Sequence, residues 1–139
     1  MAANSRFGVA LHVLALLALS AAERRSSREI AGSVATNPVV IRRLLAQLAR
    51  AGLVESAHGA AGGFRLARPA ARITLYDAYR AIEEGGFFAL PEKGSAECPV
   101  ACRMKKILDG VFACVESKVE PELKRTTLAD IARRLPARA

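Results

Sequence analysis

Asn37, Val39, Arg42 and Arg43 fall within one seven-residue stretch, 37–43. Their side chains are the types that read base edges. An asparagine amide makes paired bonds to adenine, a guanidinium forks onto guanine, and a valine touches a thymine methyl. Thr36 stands just ahead of them. Arg28 lies near a helix start, where a backbone phosphate would be met. A second set is nucleophilic. Cys98 and Cys102 stand four residues apart, followed by Arg103, Lys105 and Lys106. Thiols at the positive end of a helix beside cations are the reactive, oxidisable kind. The opposing reading is that these cysteines are small packing residues. Enzyme chemistry has no comparable footing. His12 sits in an apolar run and His58 on a turn, no Cys–His or Ser–His constellation is apparent, and neither phosphate-cradling glycine motif occurs.

The elements around 37–43 explain how such residues would be held. Ser26-Ser27-Arg28-Glu29 is a capping box opening a helix over 27–34. Asn37-Pro38 starts a second helix over 38–51, and Gly52 ends it. In that helix Val40, Leu44, Leu48 and Ala51 are expected to face inward, and Arg42, Arg43, Gln47 and Arg50 outward. Two short strands, 53–57 and 64–68, then flank a glycine-rich tip. The tip supplies His58, Gly59, Gly62 and Gly63, which are expected to approach a sugar-phosphate edge with Arg65 or Arg68 adding charge. Hairpins need glycine in any case, Asn37 can serve as a cap alone, and Arg42 and Arg43 can form surface ion pairs. A basic helix-turn-helix followed by a wing is a device for holding double-stranded DNA.

Charge supports that reading. Of the formal net charge of +8, residues 1–72 hold ten arginines against Glu23, Glu29 and Glu55, a balance of +7. Residues 73–139 hold eleven lysines or arginines against ten acids, a balance of +1. A basic half joined to a near-neutral half suggests a polyanion-binding module with an appendage. At 139 residues the chain can bury one good core.

The first residues mimic a secretory leader, with Arg6, an apolar run from Phe7 to Leu19, and Ser20-Ala21-Ala22. His12 interrupts that run, and Asn4-Ser5 reads as a helix cap. A buried first helix over about 5–21 is expected, with no membrane partner, since the run is too short to span a bilayer. Further on, Thr74-x-x-Asp77 caps a helix with an apolar stripe of Leu75, Ala78, Tyr79 and Ile82. Gly85-Gly86 breaks it, and 87–97 reads as a loop. A long helix over 99–123 places Met104, Ile107, Leu108, Val111, Val115 and Val119 on one stripe. That stripe is expected to find its twin in a second subunit, the alternative being that it packs on its own domain. Thr127-x-x-Asp130 caps a last helix. The fold class is therefore mainly α with a small β-hairpin wing. The division is a winged helix-turn-helix over 1–85, a loop over 86–98, and a dimerisation helix with a C-terminal helix over 99–139.

Ile30-Ala31, the run Asn37 to Leu45, Ala51-Gly52-Leu53-Val54, Gly59-x-x-Gly62-Gly63-Phe64-x-Leu66-Ala67 and Ile73-Thr74-Leu75-x-Asp77 together resemble the Rrf/BadM (Rrf-two) family of bacterial winged-helix regulators. The resemblance covers nearly the whole chain. It implies a homodimer formed through the long helix, transcriptional control by operator binding, and a cytoplasmic location; the reading adopted is a repressor. Where the family usually has arginine or lysine at the first wing-tip position, this chain has His58. Cluster-binding members gather three cysteines in a short segment at the head of the long helix. Here Cys114 is twelve residues beyond Cys102, about 18 Å along a helix. Cys98-Pro99-Val100 instead resembles a branch without a cluster, so no cofactor and no metal are expected. The alternatives are an iron–sulfur-sensing regulator of the same fold, completed by His12 or a partner subunit, and an adaptor that keeps the fold without binding DNA. A small-molecule effector is left unnamed by the sequence.

Overall fold

The computed structural model describes residues 3–57, 62–83, 86–88 and 95–136. In chain order the elements are α1 (Ala3–Leu19), α2 (Ser27–Val34), α3 (Pro38–Arg50), β1 (Val54–Ala57), β2 (Gly63–Leu66), α4 (Leu75–Ile82), α5 (Pro99–Lys124) and α6 (Leu128–Ala132). A 3-10 turn, Ala70–Arg72, precedes α4. The architecture is the expected one, mainly helical with a two-stranded wing.

Local chemistry sets most boundaries. Three capping boxes, Ser26 with Glu29, Thr74 with Asp77 and Thr127 with Asp130, start α2, α4 and α6. Each satisfies two backbone N–H groups that a helix start leaves open. Asn37 Oδ1 accepts from the Val39 N–H at 2.8 Å and Pro38 follows at the first helical position. Gly52 leaves α3 with φ +76, a left-handed conformation that costs glycine little. The first helix begins at Ala3 rather than after an Asn4-Ser5 cap, so both residues lie inside its first turn.

The core is assembled on α1. Ala10, Val13, Leu14 and Leu17 face it at helical spacing, each at most 1% exposed. Ile30 and Ala31 of α2, Leu53, Val54, Ile73, Ala78, Ile82 and Leu128 join the same cluster. No polar or charged residue is buried among the described residues. The leader-like segment is thus the central helix of a water-shielded core. No described helix is long and apolar enough to cross a membrane.

Two differences from the sequence reading concern packing. The inner face of α3 is Ile41, Leu44, Leu45 and Leu48, all buried, whereas Val40 is half-buried and Ala51 exposed. The spacing 41, 44, 45, 48 gives a tighter stripe than 40, 44, 48, 51, and Ala51 has already left the helix. The C-terminal helix, grouped by sequence with the long helix, packs on α1 instead. A backbone bridge holds it there: Leu128 N–H donates to Ile73 O at 2.8 Å, and Leu75 N–H donates to Thr126 O at 3.0 Å.

Candidate nucleic-acid interface

The helix-turn-helix is α2 and α3, closed by a turn through Ala35. Ala35 holds φ 58 and ψ 47, and the Thr36 N–H donates back to Ala31 O at 3.1 Å. This left-handed alanine is the one non-glycine residue with positive φ among the described residues. Sequence inspection gave no signal for it, because glycine is the usual occupant of such a turn.

On α3, Val39 is 47% exposed, and Arg42 and Arg43 are both exposed. Neither arginine forms an ion pair or hydrogen bond among the described residues, in contrast to Arg6, whose Nη2 donates to Gln47 Oε1 at 2.7 Å. Arg42 and Arg43 therefore present unneutralised guanidinium groups at the start of the helix. Arg28 is exposed in the first turn of α2, and Thr36 is half-buried in the turn. Asn37 is exposed, but its carbonyl oxygen is engaged in the cap to Val39.

The wing pairs Val54 with Leu66, Glu55 with Arg65, Ser56 with Phe64 and Ala57 with Gly63, antiparallel. His58 and Gly59 lie outside the described residues. Gly62 and Gly63 are half-buried at the foot of β2. Gly63, at φ +132, is packed so closely that a Cβ would lie 2.9 Å from the Arg25 carbonyl oxygen. Its smallness serves a third edge of the sheet. Arg25 N–H donates to Phe64 O at 2.9 Å, and Phe64 N–H donates to Arg25 O at 2.8 Å. That bridge brings Arg24 and Arg25 beside the wing, two arginines that belong to no sequence motif. Arg24 Nη1 and Arg25 Nε are shielded and have no hydrogen-bond partner among the described residues.

The wing's own cations differ from those of α3. Arg65 is ion-paired with Glu55 directly across the ladder. Arg68 is tied by Nη1 to Arg72 O at 3.3 Å and lies 3.9 Å from Asp77. The Glu55–Arg65 pairing was accessible from the strand register alone, since opposite charges placed face to face attract.

The thiols lie on a different element, α5. Cys98 is half-buried at the N-cap of α5, without a side-chain cap bond, and Cys102 is exposed one turn later. The Cys102 thiol donates to Ala96 O at 3.5 Å. Cys114 is exposed, twelve residues farther along the same helix, about 18 Å away by helical rise. The three sulfurs do not converge within one protomer, so they do not fit a single compact iron–sulfur cluster. Among the described residues no three His, Cys, Asp or Glu side chains are grouped to hold a metal ion.

Along α5 no residue is buried. Met104, Ile107, Val111 and Val115 are 44%, 61%, 50% and 36% exposed, and Leu108 and Val119 are half-buried. The helix leans on α4 through a polar joint that sequence gave no sign of. Glu116 Oε1 accepts from the Phe87 N–H at 2.8 Å and from the Tyr79 hydroxyl at 3.3 Å. At Gly86, φ +85, a Cβ would collide with the same oxygen. Tyr79 stacks on Phe87 at 4.6 Å and meets Phe7 edge-on at 5.9 Å. Burial, and then the Glu116 carboxylate, push the Tyr79 phenol up to about 12.

Comparison with known proteins agrees with this geometry. Residues 3–134 match the Rrf2 family model, described as an iron-dependent transcriptional regulator. YwnA of Bacillus subtilis (strain 168), named as an HTH-type transcriptional regulator, is 38% identical over 133 residues, covering 95% of this chain and 98% of YwnA. Among solved structures, T. potens IscR superposes with a TM-score of 0.70 at 25% identity, covering 96% of this chain and 88% of IscR. CymR (YrzC), the global cysteine regulator of B. subtilis, gives a TM-score of 0.70 at 25% identity, covering 98% and 99%. The chain belongs to the Rrf2 family, a family of winged-helix transcriptional regulators and not of enzymes.

Proposed function

We propose that this protein is a cytoplasmic, homodimeric repressor that binds an operator in double-stranded DNA through α3 and the wing. The observation that carries this reading is the unpaired state of Arg42 and Arg43 on the exposed start of α3, in a chain whose first half holds nearly all the net charge. Val39 is exposed beside them and meets a thymine methyl. Arg28 contacts a phosphate, Thr36 and the free amide of Asn37 flank the base edges, and His58, Gly59, Gly62 and Gly63 carry the wing along the backbone. The open stripe of α5 pairs with its twin, which sets two recognition helices on one duplex. The regulator works without an iron–sulfur cluster. Footprinting of a genomic duplex library is the test. A protected site of two-fold symmetry, with affinity that falls as salt rises, supports the reading. Uniform weak retention without a preferred site overturns it in favour of an adaptor.

Cys98 and Cys102 supply a redox input. Peroxide converts one thiol to a sulfenic acid with release of water, adding a polar group at the head of α5. DNA binding that is the same in peroxide and in reductant, for the native protein and for Cys98→Ser and Cys102→Ser alike, contradicts this part.

A further inference from the structure

Between α4 and α5 lies a cleft of about 190 Å³ whose lining combines aromatic faces with carboxylates. Tyr76, Tyr79 and Glu83 come from α4 and its C-cap, Glu116 and Glu120 from α5, and Phe87 from the segment between them. One edge of this cleft already shows what such a lining recognises. The Lys124 ammonium sits 4.9 Å over the Tyr76 ring and donates to Glu120 at 2.7 Å. A ring face and a carboxylate together hold a cation there. The same combination recurs deeper in, where the stacked Tyr79 and Phe87 rings stand beside Glu116. No basic side chain is ion-paired with Glu116 among the described residues. Among the described residues Arg80 is the one cation in the lining, against three carboxylates. Lys124, at the edge, pairs with Glu120, so the lining stays net negative, as a cationic guest requires.

We propose that the cleft binds a small organic ammonium ion, seated on the Tyr79–Phe87 rings with Glu116 as counter-charge. The guest touches α4, which packs against α1 and α3, and α5, which carries the thiols. It is thus at the joint between the two parts of the molecule. The proposal goes beyond the operator reading and is tested without DNA.

Tyr76 and Tyr79 are the chain's two tyrosines and it has no tryptophan, so tyrosine emission reports on this cleft alone. Choline chloride is titrated into the protein at constant ionic strength, beside 3,3-dimethyl-1-butanol, its uncharged isostere. The expected result is a saturable change with choline and affinity about tenfold weaker for the alcohol. Glu116→Gln keeps an oxygen to accept from Tyr79 and Phe87 while removing the charge, and should weaken choline about tenfold with unchanged circular dichroism. Equal response to choline and the alcohol, or no saturable response, overturns the proposal, and this comparison stands even if the variant does not fold. Undiminished choline affinity in a folded Glu116→Gln protein overturns it as well.

Discussion

Along α1, Ala10, Val13 and Leu14 are fully shielded from water, whereas along α5 no residue is buried and Ile107 remains 61% exposed. Both helices carry apolar stripes at helical spacing. The first is enclosed within its own chain, packed against α2, α4, α6 and β2. The second meets the chain mainly along α4 and leaves its stripe facing outward. A row of apolar groups at this exposure is costly in water, and the economical way to cover it is the same row on a second copy. In the proposed dimer, the first helix holds the protomer together and the second holds two protomers to each other.

The most forceful way to break that contrast is to charge the α5 stripe. Ile107→Asp buries an unpaired carboxylate in the proposed dimer contact, costing about 3 kcal/mol and weakening self-association about a hundredfold. Sedimentation should then show a folded monomer where the native protein is a dimer. A monomeric native protein, or a variant that still dimerises with equal strength, removes the two-copy reading.

A second experiment sharpens the role of the α4–α5 joint. Tyr79 is raised to about 12 from an ordinary 10, so its neutral form is favoured by the fold. The stabilisation is complete below pH 10 and is lost as pH rises from 10 through 12. Tyrosinate absorbance from Tyr79 should appear near pH 12 in the folded protein, with loss of helical signal following it. Half-ionisation of Tyr79 near the ordinary value of 10 with the fold intact would contradict its burial beside Glu116.

The smallest expected effect lies in the helix-turn-helix. Ala35 occupies the left-handed region, which strains a Cβ, so Ala35→Gly should raise stability by about 0.5–1 kcal/mol, seen as a higher melting temperature. A lower melting temperature would show that the turn gains more from reduced chain freedom than it loses to strain.

The residues legible in sequence were those whose signals are local. Ser26 with Glu29, Asn37-Pro38 and Gly52 fixed α2 and α3 because caps act over three or four residues. What escaped was set by contacts far apart in the chain. Gly63 is required by the Arg25 carbonyl, thirty-eight residues earlier, a contact that no local pattern announces. Arg65, expected to reach DNA, is neutralised by Glu55 across the ladder. Glu116 orders the 86–87 turn from a helix that begins beyond it. The inner stripe of α3 differs from the expected one by a fraction of a turn because Val40 and Ile41 are equally apolar, and only packing on α2 and α4 chooses between them.

That division between paired and unpaired arginines is also where the functional account is most exposed. The direct measurement is the affinity of three proteins for the footprinted operator duplex: native, Arg42→Ala with Arg43→Ala, and Arg65→Ala. The double variant should lose about a hundredfold in affinity, with selectivity over unrelated duplex largely gone. Arg65→Ala, already spoken for by Glu55, should change affinity by no more than about threefold. Equal losses in both variants, or operator binding untouched by removal of Arg42 and Arg43, would contradict the claim that α3 reads the DNA.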